Sequence, residues 1–274
     1  MSGLGRDIDE IALCVSYIQQ YKQQSDASSK ERKIVIMGHS TGSQDVMQYI
    51  CAPNPRAPNP VFDRERPPVF RPQVDGAIMQ APVSDRQAIR WALKLGSKEH
   101  TPKQLQQIYD NAVVKAKRHT FEDHGELDTV VPLSATTSLG YPASTAVSSR
   151  RFLSLASPDG PRCPSEDDLF SSDLSEGRLR RTIGMVCSRG VLRGKLLVLY
   201  SGKDPCVPPE VDKGGLLRRW REVVDVEGKY WHEESGIIPG ATHTLEGEKQ
   251  IEPRGILVDK VVRFLLDIGK GNVV

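Results

Sequence analysis

The chain has little that would tie it to a metal, a nucleotide or a membrane, and each shortage removes a class of function. Its five cysteines (Cys14, Cys51, Cys163, Cys187 and Cys206) form an odd set with no CxxC spacing, against both a disulfide framework and a zinc site. The histidines are scattered and form no H-E-x-x-H, so no metal is expected. No G-x-G-x-x-G or Walker A sequence is present, and no cofactor is expected. No apolar run approaches the roughly 20 residues needed to cross a bilayer. Met1–Glu10 lacks the apolar stretch of a secretory leader. With 37 basic against 35 acidic residues, a formal charge of +2 and no long basic run, nucleic acid is not an expected partner. These features point to a globular cytoplasmic protein.

What is present is enough chain for one large domain, or for a core domain with an insertion. At 274 residues, 38% hydrophobic and 26% charged, it can bury a substantial core without disulfides. Ile8, Ile11, Ala12, Val15, Ile18 and Tyr21 recur at helical spacing over 7–24. Residues 33–37 (Lys-Ile-Val-Ile-Met) form a short apolar run ending at Gly38, as in a buried parallel strand, and 44–50 can follow as a helix. Seven prolines between positions 52 and 72 mark a loop. A strand over 74–80 and helices over 85–95 and 102–118 come next.

From about 119 to 182 the chain is rich in Ser, Pro, Asp and Gly with weak periodicity. A bare loop this long does not suit a compact core, so 84–190 is read as an inserted cap. Alternation resumes with a strand at 195–201, a helix at 213–225, a weak strand at 234–238 and an amphipathic helix at 254–269. Strands alternating with helices give an α/β fold with a mostly parallel sheet, its core spanning 1–83 and 191–274.

Residues 38–42 (Gly-His-Ser-Thr-Gly) match G-x-S-x-G between an apolar strand and a helix, the setting of a nucleophile elbow. A sharp strand-to-helix turn exposes Ser40 Oγ above the sheet. Gly38 and Gly42 are expected to relieve steric clash in that turn, and the Thr41 amide, at a helix N-terminus, is placed to bind an oxyanion. A serine hydroxyl needs a neighbouring imidazole to take its proton, and this fold runs Ser, acid, His along the chain. Asp204 follows the strand 195–201, and His243 sits in a glycine-containing loop before the last helix. Asp204 could also serve only as a turn cap, in which case Asp85 is the alternative acid. His39 adjoins Ser40 and cannot curl back as its base.

Only one helix precedes the nucleophile strand, so the chain is expected to lack the N-terminal strands usual in this fold. The second oxyanion donor normally comes from that region. Nothing here supplies it except, as a remnant, Ser2–Gly5. Losing one such donor costs about 3 kcal/mol of transition-state stabilisation. The strand 33–37 would also form an open sheet edge. A shortened chain is the favoured expectation.

Arg6–Ile11, the elbow continuing as Gly42-Ser-Gln-Asp45, the Ser201-Gly-Lys-Asp-Pro205 loop and the Pro239-Gly-Ala-Thr-His243 loop occur together. Jointly they resemble a fungal family of α/β-hydrolases that includes an intracellular siderophore esterase acting on fusarinine C. The resemblance covers most of the chain and is weakest over 120–180. It implies a small-molecule ester substrate, here a ferric siderophore, hydrolysed in intracellular iron release, with Ser40, Asp204 and His243 as nucleophile, acid and base. Alternatives are a generic carboxylesterase or thioesterase, and a non-catalytic hydrolase-like binding protein. Acidic clusters at 122–128 and 166–168 are expected foremost as a solvated loop surface; the alternative, which the resemblance suggests, is a cap surface that attracts the cationic amines of such a substrate.

Overall fold

The computed structural model describes residues 3–25, 32–57, 67–121 and 129–270. Four parallel strands, β1 (Val35–His39), β2 (Gly76–Gln80), β3 (Leu196–Ser201) and β4 (Gly236–Ile238), pair in chain order. Their register sets His39 beside Gln80, Gln80 beside Leu199 and Ser201 beside Ile238. The carboxyl ends of all four strands therefore open on one rim. The first strand lies two residues later than the apolar run suggests, because backbone pairing continues through Gly38 and His39 up to the turn. Among the described residues β1 pairs only with β2, and Met37 on it is half exposed.

Helix α1 (Leu4–Ser25) presents Leu4, Ile8, Ala12 and Val15 as a buried stripe at helical spacing, while Tyr17 and Tyr21 face out. Together with α2 (Thr41–Cys51) it covers one face of the sheet. Helix α3 (Asp85–Leu95) starts where Ser84 Oγ accepts the Gln87 amide at 3.1 Å and ends at Gly96. Then follow α4 (Pro102–Phe121), α5 (Leu133–Ser138) and α6 (Ser149–Ala156). Ile89, Leu93, Leu105, Ala112 and Phe152 form an apolar cluster of their own among these helices. The following stretch packs differently. Leu169, Phe170 and Leu174, with α7 (Glu176–Arg181), α8 (Val186–Arg189) and α9 (Lys213–Val224), join the main core beneath β2 and β3.

The last helix, α10 (Ile251–Gly269), covers the other sheet face with Phe264 and Ile268. Ile256, Leu257 and Val261 of the expected apolar face are partly buried there, but Val262, Leu265 and Leu266 are exposed. A single helix over four described strands cannot cover apolar residues on more than one of its sides.

Buried ion pairs tie the helical layer to the core. Arg151 of α6, 1% exposed, meets Asp7 of α1 at 3.3 Å, Asp45 of α2 at 3.4 Å and Asp167 at 3.2 Å. Arg86 of α3 meets Asp168 at 2.7 Å and also pairs with Asp173. Of the 166–168 cluster only Glu166 is the solvent-facing acid expected. Asp167 and Asp168 are each 3% exposed, because burying Arg151 and Arg86 demands carboxylate partners. The acids at 122–128 lie outside the described residues.

Candidate active site

Ser40 occupies the turn between β1 and α2 with φ 55° and ψ −123°, a conformation L-residues avoid. The turn is held by backbone contacts: the Ser40 amide donates to Gln80 O at 3.0 Å, and the Ser43 amide to Ser40 O at 2.8 Å. The buried Ser43 hydroxyl reaches Gly38 O and Gln80 O at 3.2 Å. At Gly38 a Cβ would stand 2.0 Å from Gly42 O, so glycine is obligatory there. Gly42 differs from expectation. A Cβ on it would meet no described atom within 4 Å, because the helix turns this position away from the strand.

The rim brings the three expected side chains together. His243 Nε2 lies 2.8 Å from Ser40 Oγ, and His243 Nδ1 lies 2.7 Å from Asp204 Oδ2. A carboxylate can only accept, so Nδ1 carries the hydrogen and Nε2 is left to accept the serine proton. Asp204, 4% exposed, uses its other oxygen to accept the Cys206 amide at 2.9 Å. The turn contact and the imidazole contact, alternatives in the sequence, coexist on one carboxylate. Asp85, the other candidate acid, borders the same cavity but accepts from Gln44 Nε2 at 2.7 Å.

Two neighbours invisible in the spacing hold the imidazole's loop. Gln250, 5% exposed, accepts the Thr242 amide at 2.9 Å and donates to Gly240 O at 3.1 Å. Gly240 takes φ 72°, which suits glycine, as the chain leaves β4 for this loop. His39 Nε2 donates to His243 O at 2.9 Å, its ring centre 5.0 Å from that of His243. A histidine beside an elbow serine was the only sequence signal for this contact.

A cavity of about 600 Å³ opens over Ser40 and His243. Ile89, Trp91 and Leu95 of α3 and Leu139 and Tyr141 after α5 wall it. Thr41 borders it as the first residue of α2, where the helix dipole favours negative charge. No described residue ahead of His39 does so. Gly3 instead stands just ahead of α1 against Arg150, Gly5 lies in the first turn of α1 against Arg56, and neither borders the cavity, while Ser2 lies outside the described residues. Asp204, Cys206 and His243 have donor atoms within 4.8 Å of one another, as do His232, Glu233 and Asp267 near α10. At the first group burial pushes the Cys206 thiol up to about 12, and the other two donors already bond each other, which makes it a poor metal site. No helix among the described residues is long and apolar enough to cross a membrane.

The parallel sheet, the strained turn after β1 and the order Ser, Asp, His are those of an α/β-hydrolase. A family model described as "Protein of unknown function (DUF1749)" matches residues 1–266. The chain is 61% identical to an esterase of Emericella nidulans, over 97% of this chain and 74% of that protein. It is 50% identical to a fusarinine C esterase of Aspergillus fumigatus, over 96% and 75% respectively. The siderophore hydrolase EstB from Aspergillus fumigatus superposes with a TM-score of 0.79 at 46% identity, covering 97% of this chain and 76% of that one.

Proposed function

The chain belongs to the DUF1749 family and is an esterase, and on that premise we propose that Ser40, His243 and Asp204 carry the reaction on a ferric hydroxamate siderophore ester. One observation carries the residue assignment: an unbroken hydrogen-bonded chain from Ser40 Oγ through His243 to Asp204, at 2.8 and 2.7 Å, faces a cavity large enough for an ester. The substrate class is carried over from the fusarinine C esterase and the siderophore hydrolase.

His243 Nε2 takes the hydroxyl proton as Ser40 Oγ attacks the ester carbonyl carbon. Asp204 accepts from Nδ1–H, which keeps the reactive tautomer and stabilises the imidazolium. The Thr41 amide donates to the developing oxyanion, aided by the positive end of α2. Imidazolium then protonates the departing alkoxide oxygen, leaving an acyl-Ser40. A water molecule, deprotonated by His243, attacks that acyl group and releases acid and free serine.

Helices α3–α6 act as the cap over this cavity. The reaction belongs to intracellular iron release in the cytoplasm, in keeping with five unpaired cysteines, and iron arrives as part of the substrate. A different ester substrate is the second reading, favoured by the 61% identity to a relative named only as an esterase.

A fluorophosphonate probe should label wild type at Ser40 and spare S40A. Hydrolysis of ferric fusarinine C should then exceed that of p-nitrophenyl esters in kcat/KM. Well-folded wild type that resists the probe would end the serine mechanism. Labelled enzyme that ignores ferric fusarinine C would favour the second reading.

A further inference from the structure

A second cavity, of about 380 Å³, lies between α4 and α5, and none of its lining residues borders the cavity over Ser40. Its α4 side is one helix face: Ile108, Asn111, Ala112 and Lys115 stand at i, i+3, i+4 and i+7. Ile108 and Ala112 belong to the apolar cluster of the helical layer, and Ala135 of α5 packs against the same cluster. Asn111 and Lys115, one turn apart, are exposed.

The polar groups of this cavity divide into two sets. One set holds the walls. The single hydroxyl hydrogen of Ser138 goes to Ser134 O at 2.8 Å, so Ser138 Oγ accepts from His100 Nε2 at 3.1 Å. That chain fastens α5 to the loop ahead of α4, and the cavity is built by protein contacts alone. The other set is uncommitted. Lys115 is the one lysine, arginine, aspartate or glutamate among the lining residues. Lys117, two positions on, pairs with Asp159 at 3.5 Å, whereas Lys115 meets no carboxylate at ion-pair distance among the described residues. The Asn111 amide and the Ser134 hydroxyl likewise have no side-chain hydrogen bond among the described residues.

One unpaired ammonium, an amide and a hydroxyl, combined with an apolar lining, match a group with one negative charge, two acceptor oxygens and a hydrocarbon tail. A phosphate dianion would bring a second charge without a partner, and an amine would set two cations together. We propose that this cavity is a second ligand site, which takes small aliphatic monocarboxylates. The inference shares no residue with the triad and does not rest on the esterase reading.

The probe is hexanoate, with hexanamide and hexylammonium chloride as its neutral and cationic counterparts. In calorimetric titrations wild type should bind hexanoate about tenfold more tightly than hexanamide. K115Q should remove that margin, and K115R should keep most of it. Lys115 is exposed, so thermal melts of both variants should match wild type. A second arm needs no variant: a hexanoic acid carrying a diazirine on its chain, photolysed on wild type, should label residues 108–115 of α4, and excess hexanoate should suppress the label. No saturable binding of hexanoate, equal or tighter binding of either counterpart, or a hexanoate affinity unchanged in K115Q overturns the site. So does a photolabel confined to the residues around Ser40 and His243.

Discussion

The two glycines of the elbow should respond to the same substitution with opposite signs. A Cβ at Gly38 would sit 2.0 Å from Gly42 O, 2.3 Å from Gly42 C and 2.9 Å from Ser43 N. The first is more than an ångström inside ordinary contact, and all three atoms are backbone at the start of α2, so no rotamer relieves it. Overpacking of this kind costs about 1–3 kcal/mol, and G38A should lie at the upper end. The clash is relieved only by moving α2 away from β1, which carries Ser40 with it. A displacement of about 1 Å at a reacting atom lowers the rate about 10²-fold. G42A meets open space at a non-strained helical position, where alanine is favoured over glycine by about 0.5–1 kcal/mol. Urea unfolding midpoints and kcat for p-nitrophenyl acetate, read on both variants, decide it. G38A within about 0.5 kcal/mol of wild type, or G42A destabilised by about 1 kcal/mol or more, would refute the steric account of this turn.

Three further outcomes are expected. Because Ser40 holds φ 55°, S40G should be more stable than S40A by about 1 kcal/mol or more while both lose activity, as thermal melts and probe labelling would report. D204N keeps the volume but removes the acceptor that sets the His243 tautomer, so kcat should drop about 10⁴-fold with little change in KM. Asp45, Asp85 and Asp167 have raised pKa values in the folded state, so they bind more protons folded than unfolded. Their contribution to stability is full below the unfolded carboxylate value of about 3.9 and is lost as pH rises toward about 7. The groups facing them are Arg151 of α6, Asp7 of α1, Glu166, Tyr141 and His243. Denaturant titrations at several pH values should show that decline, and D167N should flatten it; a slope unchanged in D167N would contradict the assignment.

The fold class and the core of the site were legible because they are written in contiguous residues. An apolar strand ending in Gly-His-Ser-Thr-Gly, a turn after residues 195–201 and a glycine-bearing loop before the last helix each carry their geometry locally. What was not legible came from residues distant in the chain. Gly42 looked like Gly38 in a five-residue motif, and only the path of α2 separates an obligatory glycine from a tolerant one. The acids at 166–168 looked like a charged surface, yet two of them are buried because Arg151 and Arg86 arrive from other helices. The outer side of α10 looked like core because periodicity counts apolar residues without counting the partners available to cover them.

The sequence by itself determined which serine is strained into the turn, and the chain order in which the candidate acid and base follow it. Only the tertiary structure decided which carboxylate meets the imidazole and which is left in the cavity wall. Ser40 and His243 are 203 residues apart, and their 2.8 Å contact exists because parallel register levels the ends of β1–β4 on one rim. The loop after β3 therefore delivers Asp204 to His243, while α3, entering after β2, turns Asp85 toward Gln44. Local propensity shapes each loop, but which loops become neighbours is settled by strand pairing, a property no single segment holds.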